Sequence, residues 1–339
     1  MATIRDVAAC AGVSTATVSR VINHSAYVEP ETITRVEKAM RELGYRRNQP
    51  AHALARRSGK ILGLLTGNLA DPFFARLARG VEETARREGF RLMVCSGGHD
   101  DAQEQSGIEF LINQGCEAIV AHATRMSDDK LLRYCAFTPG LVLINRYISG
   151  VADRCIWLDN VSAARVATVY LLAQGHRKVA CITSDLPIAD RADRLRGYKE
   201  ALLEYGITPA SDWIISVPFN EEGGALAARR LPGSSPAFTA AITFNDVMAA
   251  GVIDALRSRG LSVPESFSVV GFDDVILAKY LSPPLTTVHY PIERMAREAT
   301  FLAIRIFLQL DTTGTVNRFT GELTIRHSVL PCRGSTPEP

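Results

Sequence analysis

The chain has 339 residues, 47% of them hydrophobic and 22% charged, a balance expected of a soluble globular protein and not of a disordered or fibrous one. It is too long for one simple core, and no run of about 18 apolar residues suits a membrane span. The net charge of +2 conceals a split: residues 1–60 hold ten Lys/Arg against five Asp/Glu, and the remainder holds 28 against 31. A basic beginning on a slightly acidic body points to a polyanionic partner for the first part alone.

Residues 1–25 lack the apolar run of an export signal, so the cytoplasm is the expected location. Seven cysteines (Cys10, Cys95, Cys116, Cys135, Cys155, Cys181 and Cys332) are scattered, with no C-x-x-C pair. Among Ala, Val and Ile such thiols are usually small hydrophobes in a reducing compartment.

In chain order, a first helix is predicted over about Ile4 to Ala11, with Ile4, Val7 and Ala8 on one face. Gly12 supplies the left-handed conformation of a tight turn, and Ser14 is a natural N-cap for a second helix ending near Asn23. A third helix begins at Pro30, with Ile33, Val36, Met40 and Leu43 inward and Gly44 as its stop. The stretch RRNQPAHALARRSGK, residues 46–60, is basic and poor in apolar residues, and reads as a joint.

From Ile61 the rhythm changes. Short apolar runs (ILGLLTG, RLMVCSG, AIVAHA, LVLIN) alternate with helical stretches near 73–89, 101–114 and 128–136. After CIWLD the pattern restarts with KVACIT, WIISV, AAITF and SVVGF between helices near 160–174, 190–205, 221–231 and 246–259. Strands buried on both faces and separated by helices indicate parallel β/α units. The expected fold is therefore an all-α helix-turn-helix headpiece plus an α/β body of two Rossmann-like parallel-sheet lobes. A last helix over 291–310 and short strands near 318–329 would cross back and tie the lobes together. The expected limits are 1–46 for the headpiece, 47–60 for the joint, 61–331 for the body and 332–339 for a tail. Within the body the N-lobe takes about 61–159 and 290–318, and the C-lobe about 160–289 and 319–331.

The short second helix, rich in hydroxyls and poor in apolar residues, suits a recognition helix lying in a major groove. Thr15, Ala16 and Thr17 allow close approach, and their methyls can touch thymine methyls. Arg20 can grip guanine with two hydrogen bonds, a contact worth about 1–3 kcal/mol of discrimination. Ser14 and Ser19 hold phosphates or cap helices, and Thr3 and Asn23 flank the set as further DNA-contact candidates. The plain alternative is a three-helix bundle with no ligand.

The pattern D-V-A-x-x-A-G-V-S-x-x-T-V-S-R-V-x-N, continued in V-x-P-E-T and V-x-x-A-M-x-E-L-G-Y, resembles the headpiece of the lactose/galactose repressor family of bacterial transcription regulators. The likeness runs through the whole chain. It implies that the joint folds into a hinge helix on DNA over Asn48 to Arg56, with Asn48, Ala51 and Arg56 at the DNA and Leu54 wedged into the minor groove. Two positions depart from the family: Arg47 stands where proline is usual, with Pro50 inside the expected hinge, and Glu29 stands where Ser commonly caps the third helix. Pro50 fits if it lies in the first turn of the hinge helix.

Ligands of open parallel sheets collect at the carboxyl ends of strands. Asp71-Pro72-Phe73-Phe74, Asn145-Arg146, Arg194, Asn245-Asp246 and Asp273-Asp274 stand at or near those ends, a mixture of acceptors, donors and aromatic faces suited to a sugar. The body also resembles periplasmic sugar-binding proteins. That resemblance implies effector contacts at Asp71, Phe73, Phe74, Arg146, Arg194, Asn245 and Asp273. Asn145 joins them by its place after LVLI. His289 is placed to reach the cleft from a crossover, with an inert polar role as its alternative, and Asp246 and Asp274 are read as structural. VLINRYISGVADRCIWLDN and GFDDVILAKYLSPPLTTVHYPIERMA resemble the galactose-repressor branch, which implies galactose or a galactoside acting as inducer. A regulator of another hexose or glycoside, or a co-repressor response, is the alternative.

SGKILG lacks P-loop spacing, no G-x-G-x-x-G follows a strand, and neither H-E-x-x-H nor a cysteine pair is present, so no cofactor, metal site or enzyme activity is expected. A solute-binding protein or a Rossmann-like enzyme would explain the body but not the headpiece. One headpiece covers only half a pseudo-palindromic operator, so a homodimer is expected, through the helices near 73–89 and 101–114.

Overall fold

The computed structural model describes residues 4–23, 28–43, 60–231 and 238–332, and the chain divides into two compact units between Gly59 and Lys60. The first unit holds α1 (Ile4–Ala11), α2 (Thr15–Asn23) and α3 (Pro30–Glu42). Gly12 takes a φ of +64° between the first two, a left-handed turn that glycine enters without steric cost. Ser14 Oγ then accepts from the Thr17 amide at 3.1 Å and opens α2. Val7, Ala8, Ala11, Val18, Val21, Val36 and Ala39 form the core, flanked by Val13, Val28, Ile33 and Met40. Leu43, expected inside, is 38% exposed. The helix ends one residue before it, so it falls off the buried stripe, which Ala39 and Val36 complete.

The second unit runs β1 (Ile61–Thr66), α4 (Pro72–Arg87), β2 (Arg91–Ser96), α5 (Asp101–Asn113), β3 (Ala118–Ala121), α6 (Asp128–Phe137), β4 (Gly140–Ile144) and β5 (Cys155–Leu158) in the N-lobe. The C-lobe follows with α7 (Asn160–Ala173), β6 (Val179–Ser184), α8 (Ala189–Glu204), β7 (Ile214–Val217), α9 (Glu221–Ala228), β8 (Ala240–Thr243), α10 (Asp246–Arg257), β9 (Ser268–Asp273), α11 (Ile276–Tyr280) and β10 (Thr286–His289). The chain returns to the N-lobe with α12 (Ile292–Phe307) and β11 (Arg318–Phe319), and ends in the C-lobe with β12 (Glu322–Thr324).

The two sheets are ordered β11-β5-β4-β3-β1-β2 and β12-β10-β9-β8-β6-β7. All pairings are parallel except β10 with β12. Each lobe thus repeats the 2-1-3-4-5 order of doubly wound folds, whose ligand crevice lies beyond the carboxyl ends of the strands where the order reverses. Asp71, Asp100, Ser127, Asp159, Asn220 and Asn245 each cap a helix with the side chain, so the residues that start these helices line the strand-end side of the sheets. The short α11 and the 3₁₀ turns at Ser149–Arg154 and Ser211–Trp213 add to the elements predicted from periodicity.

α4 packs its Phe73, Phe74, Leu77, Val81 and Ala85 inward and lies against α12. At their crossing a Cβ on Gly80 would meet Ala296 Cβ at 2.8 Å and Glu293 O at 2.9 Å, so glycine sets the helix separation. The outward face of α4 is charged, with Arg79–Glu83 and Arg86–Glu82 ion pairs at 2.9 and 3.1 Å. The face of this helix expected at the homodimer contact is therefore occupied by i,i+4 ion pairs. Exposed apolar side chains include Phe110 of α5, the other helix expected at that contact, and, in the C-lobe, Leu226, Ile276 and Tyr280. Cys116, Cys135, Cys155 and Cys181 are buried thiols, and all seven cysteines are free. Among the described residues no helix is long and apolar enough to cross a membrane, and no cluster is placed to hold a metal ion.

Candidate functional site

Two surfaces answer to the residues singled out from the sequence. On the first unit, Thr15, Ala16 and Arg20 are exposed on α2, while Thr17 and Ser19 are half-buried. Ser14 Oγ is 2.9 Å from Thr17 Oγ1 as well as accepting the Thr17 amide, so it serves the helix start. Thr3, Asn48, Ala51, Leu54 and Arg56 lie outside the described residues, as does the side chain of Asn23.

The second surface is the cleft between the lobes. Asp71 caps α4 by accepting from the Phe73 amide at 2.9 Å, and Pro72 fills the first helical position. That start turns Phe73 and Phe74 inward, edge to face at 5.2 Å. Phe73 continues to Tyr290 at 5.0 Å, and Phe74 to His122 at 5.0 Å and His99 at 5.6 Å. This aromatic wall closes one side of a cavity of about 40 Å³.

Across from it, Arg194 on α8 is buried and held on all sides but one. Its Nε donates to Asn160 Oδ1 at 2.8 Å, its Nη1 donates to the Phe244 carbonyl, and its plane stacks 3.6 Å from the Phe272 ring centroid. Only Nη2 faces the cavity, 3.9 Å from both Asp190 and Asp273. Those gaps exceed a hydrogen bond, so donor and acceptors converge with bonding capacity to spare. Burial pushes the carboxyls of Asp190 and Asp273 up, and Arg194 opposes the rise. Asp71 is raised by burial as well. Asp273 ends β9 with a φ of +106°, which turns its side chain into the cavity lining.

Asn145 and Asn245 line the same cavity in different capacities. Asn145 Nδ2 donates to Asp190 Oδ2 at 2.6 Å, and its Oδ1 accepts from the Tyr290 hydroxyl. Asn245 caps α10 through the Met248 amide at 2.8 Å and donates to the Phe219 carbonyl at 3.1 Å. It therefore positions the loop that carries Phe219.

Two predicted contacts fall elsewhere. Arg146 spends its guanidinium within the N-lobe, on the carbonyls of Thr124 and Met126 at 3.2 Å each and on Asp128 at 2.7 Å. It staples the loop after β3 and does not line the cavity. His289 turns to Asp274, Nδ1 to Oδ2 at 3.0 Å. Burial works against ionisation of Asp274, yet the bonds from His289 and Arg326 bring its carboxyl below the usual range. Asp246 is buried under the Val275 amide at 2.9 Å and the Thr287 hydroxyl at 2.5 Å, and burial pushes its pKa up to about 7.

The cavity also holds residues that sequence reading passed over: His99, His122, Asp190, Phe219 and Phe244. Thr124 gives its hydroxyl proton to Glu104 (3.2 Å), so His99 Nδ1 donates to Thr124 Oγ1 (3.1 Å) and His99 Nε2 is left as a lone pair. Asn145 Nδ2 lies 3.5 Å from His122 Nε2, which assigns the proton of His122 to Nδ1. Neither His99 Nε2 nor His122 Nδ1 has a hydrogen-bond partner among the described residues. Burial keeps both rings neutral, with the pKa of His122 pushed down to about 3. The site thus presents one unpaired acceptor and one unpaired donor beside an aromatic wall. His122 directly follows β3 and His99 follows β2 by three residues, the same strand-end placement that singled out Asn145.

Comparison with known proteins gives consistent likenesses. Residues 3–48 match the lacI family of bacterial regulatory proteins, and residues 168–329 match the periplasmic binding protein-like domain. The chain is 42% identical over 330 residues to the HTH-type transcriptional regulator GalR of Salmonella typhimurium, covering 97% of this chain and 96% of that one. A lacI-family sugar-binding transcriptional regulator from Escherichia coli, solved with phosphate, is 29% identical, with a TM-score of 0.72 over 81% of this chain and 100% of its own. The transcriptional regulator CelR, solved with cellobiose, is 29% identical, with a TM-score of 0.69 over 97% of this chain and 100% of its own.

Proposed function

The chain belongs to the lacI family of bacterial regulatory proteins, and from that membership we propose a cytoplasmic transcriptional repressor whose hold on operator DNA is governed by a small sugar, galactose or a galactoside, bound between the lobes. The observation that carries the sugar reading is the convergence of Asp71, Phe73 and Phe74 from one lobe with Arg194 and Asp273 from the other around a single cavity. Carboxylates accept from hydroxyl pairs, the guanidinium donates, and the aromatic wall covers C–H faces. The likeness to GalR supports galactose over other sugars.

In this reading residues 1–46 form the DNA-binding headpiece, 47–60 the hinge and 61–331 the effector-binding body. Thr15, Ala16 and Arg20 face the bases. Two headpieces on a homodimer read the two halves of a pseudo-palindrome. Sugar shifts operator affinity only by its differential affinity for the two lobe arrangements. The arrangement it favours separates the hinges, so sugar releases DNA. Gel retardation on palindromic DNA, across salt and with or without galactose, tests the reading. Retardation that weakens with salt and with galactose is expected. No retardation at any salt overturns the repressor, and tighter binding with galactose makes it a co-repressor.

A further inference from the structure

The cleft holds two chambers with one aromatic ring between them. Phe219, on the loop after β7, stands edge-on to His99 at 5.1 Å and 6.1 Å from Phe244. Behind it is the cavity of about 40 Å³ already described, room for about three waters. In front of it, sharing Asp71 and Phe219 as walls, lies a chamber of about 500 Å³. Its size falls in the range of small-molecule sites, while the inner cavity must widen before a sugar ring enters.

The outer chamber draws on both lobes and on two kinds of chemistry. Asn68 Oδ1 is taken by the Ala70 amide at 3.0 Å and Asn220 Oδ1 by the Gly223 amide at 2.9 Å, which leaves each side-chain NH₂ as a donor. Asp185 and Glu221 add carboxylate acceptors that no other described residue engages in a hydrogen bond or ion pair. Leu186 and the Phe219 ring supply apolar faces. Hydroxyl edges and C–H faces of a sugar ring match such walls.

The charge of the cleft narrows the class further. Asp71, Asp185 and Glu221 line the outer chamber, and Asp190 and Asp273 lie behind it. Among the described residues Arg194 is the only Lys or Arg lining either chamber, and its Nε, its Nη1 and one face are already engaged, which leaves Nη2 alone toward the ligand. A cleft of one sign focuses its field, so a phosphate or carboxylate on the ligand is repelled.

We propose that the outer chamber is a second sugar subsite, and that the cleft takes an uncharged glycoside with one ring at Arg194 and Asp273 and the next at Asn68, Asn220 and Glu221. The proposal rests on the sugar-effector reading above. It also places the effector ahead of any phosphoryl transfer, because a phosphorylated sugar meets the carboxylates.

Calorimetry on the full chain with galactose, lactose, melibiose and galactose 1-phosphate tests it. One of the two disaccharides should bind about tenfold tighter than galactose, the return on two added neutral hydrogen bonds. The phosphate ester should give no binding heat. In Leu186→Trp, which fills the outer chamber, the preference should fall to about onefold, and Glu221→Ala should reduce it about threefold, on the loss of one exposed hydrogen bond. Galactose binding with neither disaccharide bound more tightly overturns the subsite alone. Binding of galactose 1-phosphate as tight as that of galactose overturns the charge argument. Binding of none of the three neutral sugars overturns the sugar reading together with the subsite.

Discussion

Asn145 and Asp190 stand on opposite lobes and meet in a hydrogen bond of 2.6 Å across the cleft. Asn145 follows β4 with a φ of +58°, a left-handed conformation that Asn tolerates better than most residues. Its carbonyl takes the Tyr290 hydroxyl and its amide also faces His122. One side chain therefore couples lobe separation to the cavity wall.

Asn145→Ala removes that bond and leaves the buried Tyr290 hydroxyl without its acceptor. Stability should fall by about 1–3 kcal/mol, read from the midpoint of urea unfolding. Asp190→Asn, which can still accept through its carbonyl, should lose less. Equal midpoints for wild type and Asn145→Ala would show that the lobes do not depend on this contact.

His122 predicts an acid limit. The unfolded chain takes up its proton near the ordinary 6.5 and the folded chain only at about 3. Stability therefore rises with pH through that window and is lost on acidification, by up to about 1.4 kcal/mol per pH unit. Asp246 works in the opposite sense. Its folded pKa of about 7 lies above the ordinary 3.8, so its contribution is complete below 3.8 and lost as pH climbs toward 7. His122→Phe should flatten the acid side of a stability–pH curve, and Asp246→Asn should gain on wild type as pH rises. The reverse slopes would contradict the burial argument for each.

Asp273→Asn keeps the shape of the cavity wall while removing a charged acceptor. Sugar affinity should drop about 10-fold to 150-fold, the range for a hydrogen bond to a charged group. Operator binding without sugar should persist, so the variant should act as a repressor that ignores its effector. Calorimetry and gel retardation on one preparation separate the two effects. Full sugar release would place the effector away from Asp273.

Arg20→Ala should cost about 1–3 kcal/mol at one base pair per half-site and relax preference there. Competition between operators that differ at single positions reads the change. Uniform weakening on all sequences would assign Arg20 to phosphate instead.

The repeated β/α rhythm and the first three helices are legible because periodicity and caps act locally. Gly12, Ser14 and Pro30 each stand where a turn or helix start needs them. The strand-end rule led to Asp71, Asn145, Asn245 and Asp273, all of which line the cavity. It also pointed to Arg146, and the crossover to His289, but these side chains reach other partners, Asp128 and Asp274. Side-chain direction is settled by tertiary contact and leaves no trace in spacing. His99, His122 and Phe219 escaped for a different reason: as single residues on loops they carry no period. Applied to His122 after AIVA, the rule that marked Asn145 would have found it.

The late return of the chain has a consequence for its synthesis. Leu77, Gly80 and Val81 of α4 are buried, and α12, which lies against that helix, begins only at Ile292. The outer strand beside β5 follows at Arg318–Phe319. A ribosome that has made every earlier strand of the N-lobe has therefore still not made its cover, and the C-lobe sheet waits longer, for Glu322–Thr324. Neither lobe can close before these late strands have been made. Both reach completion within a few residues of each other, so the two halves of the cleft mature together.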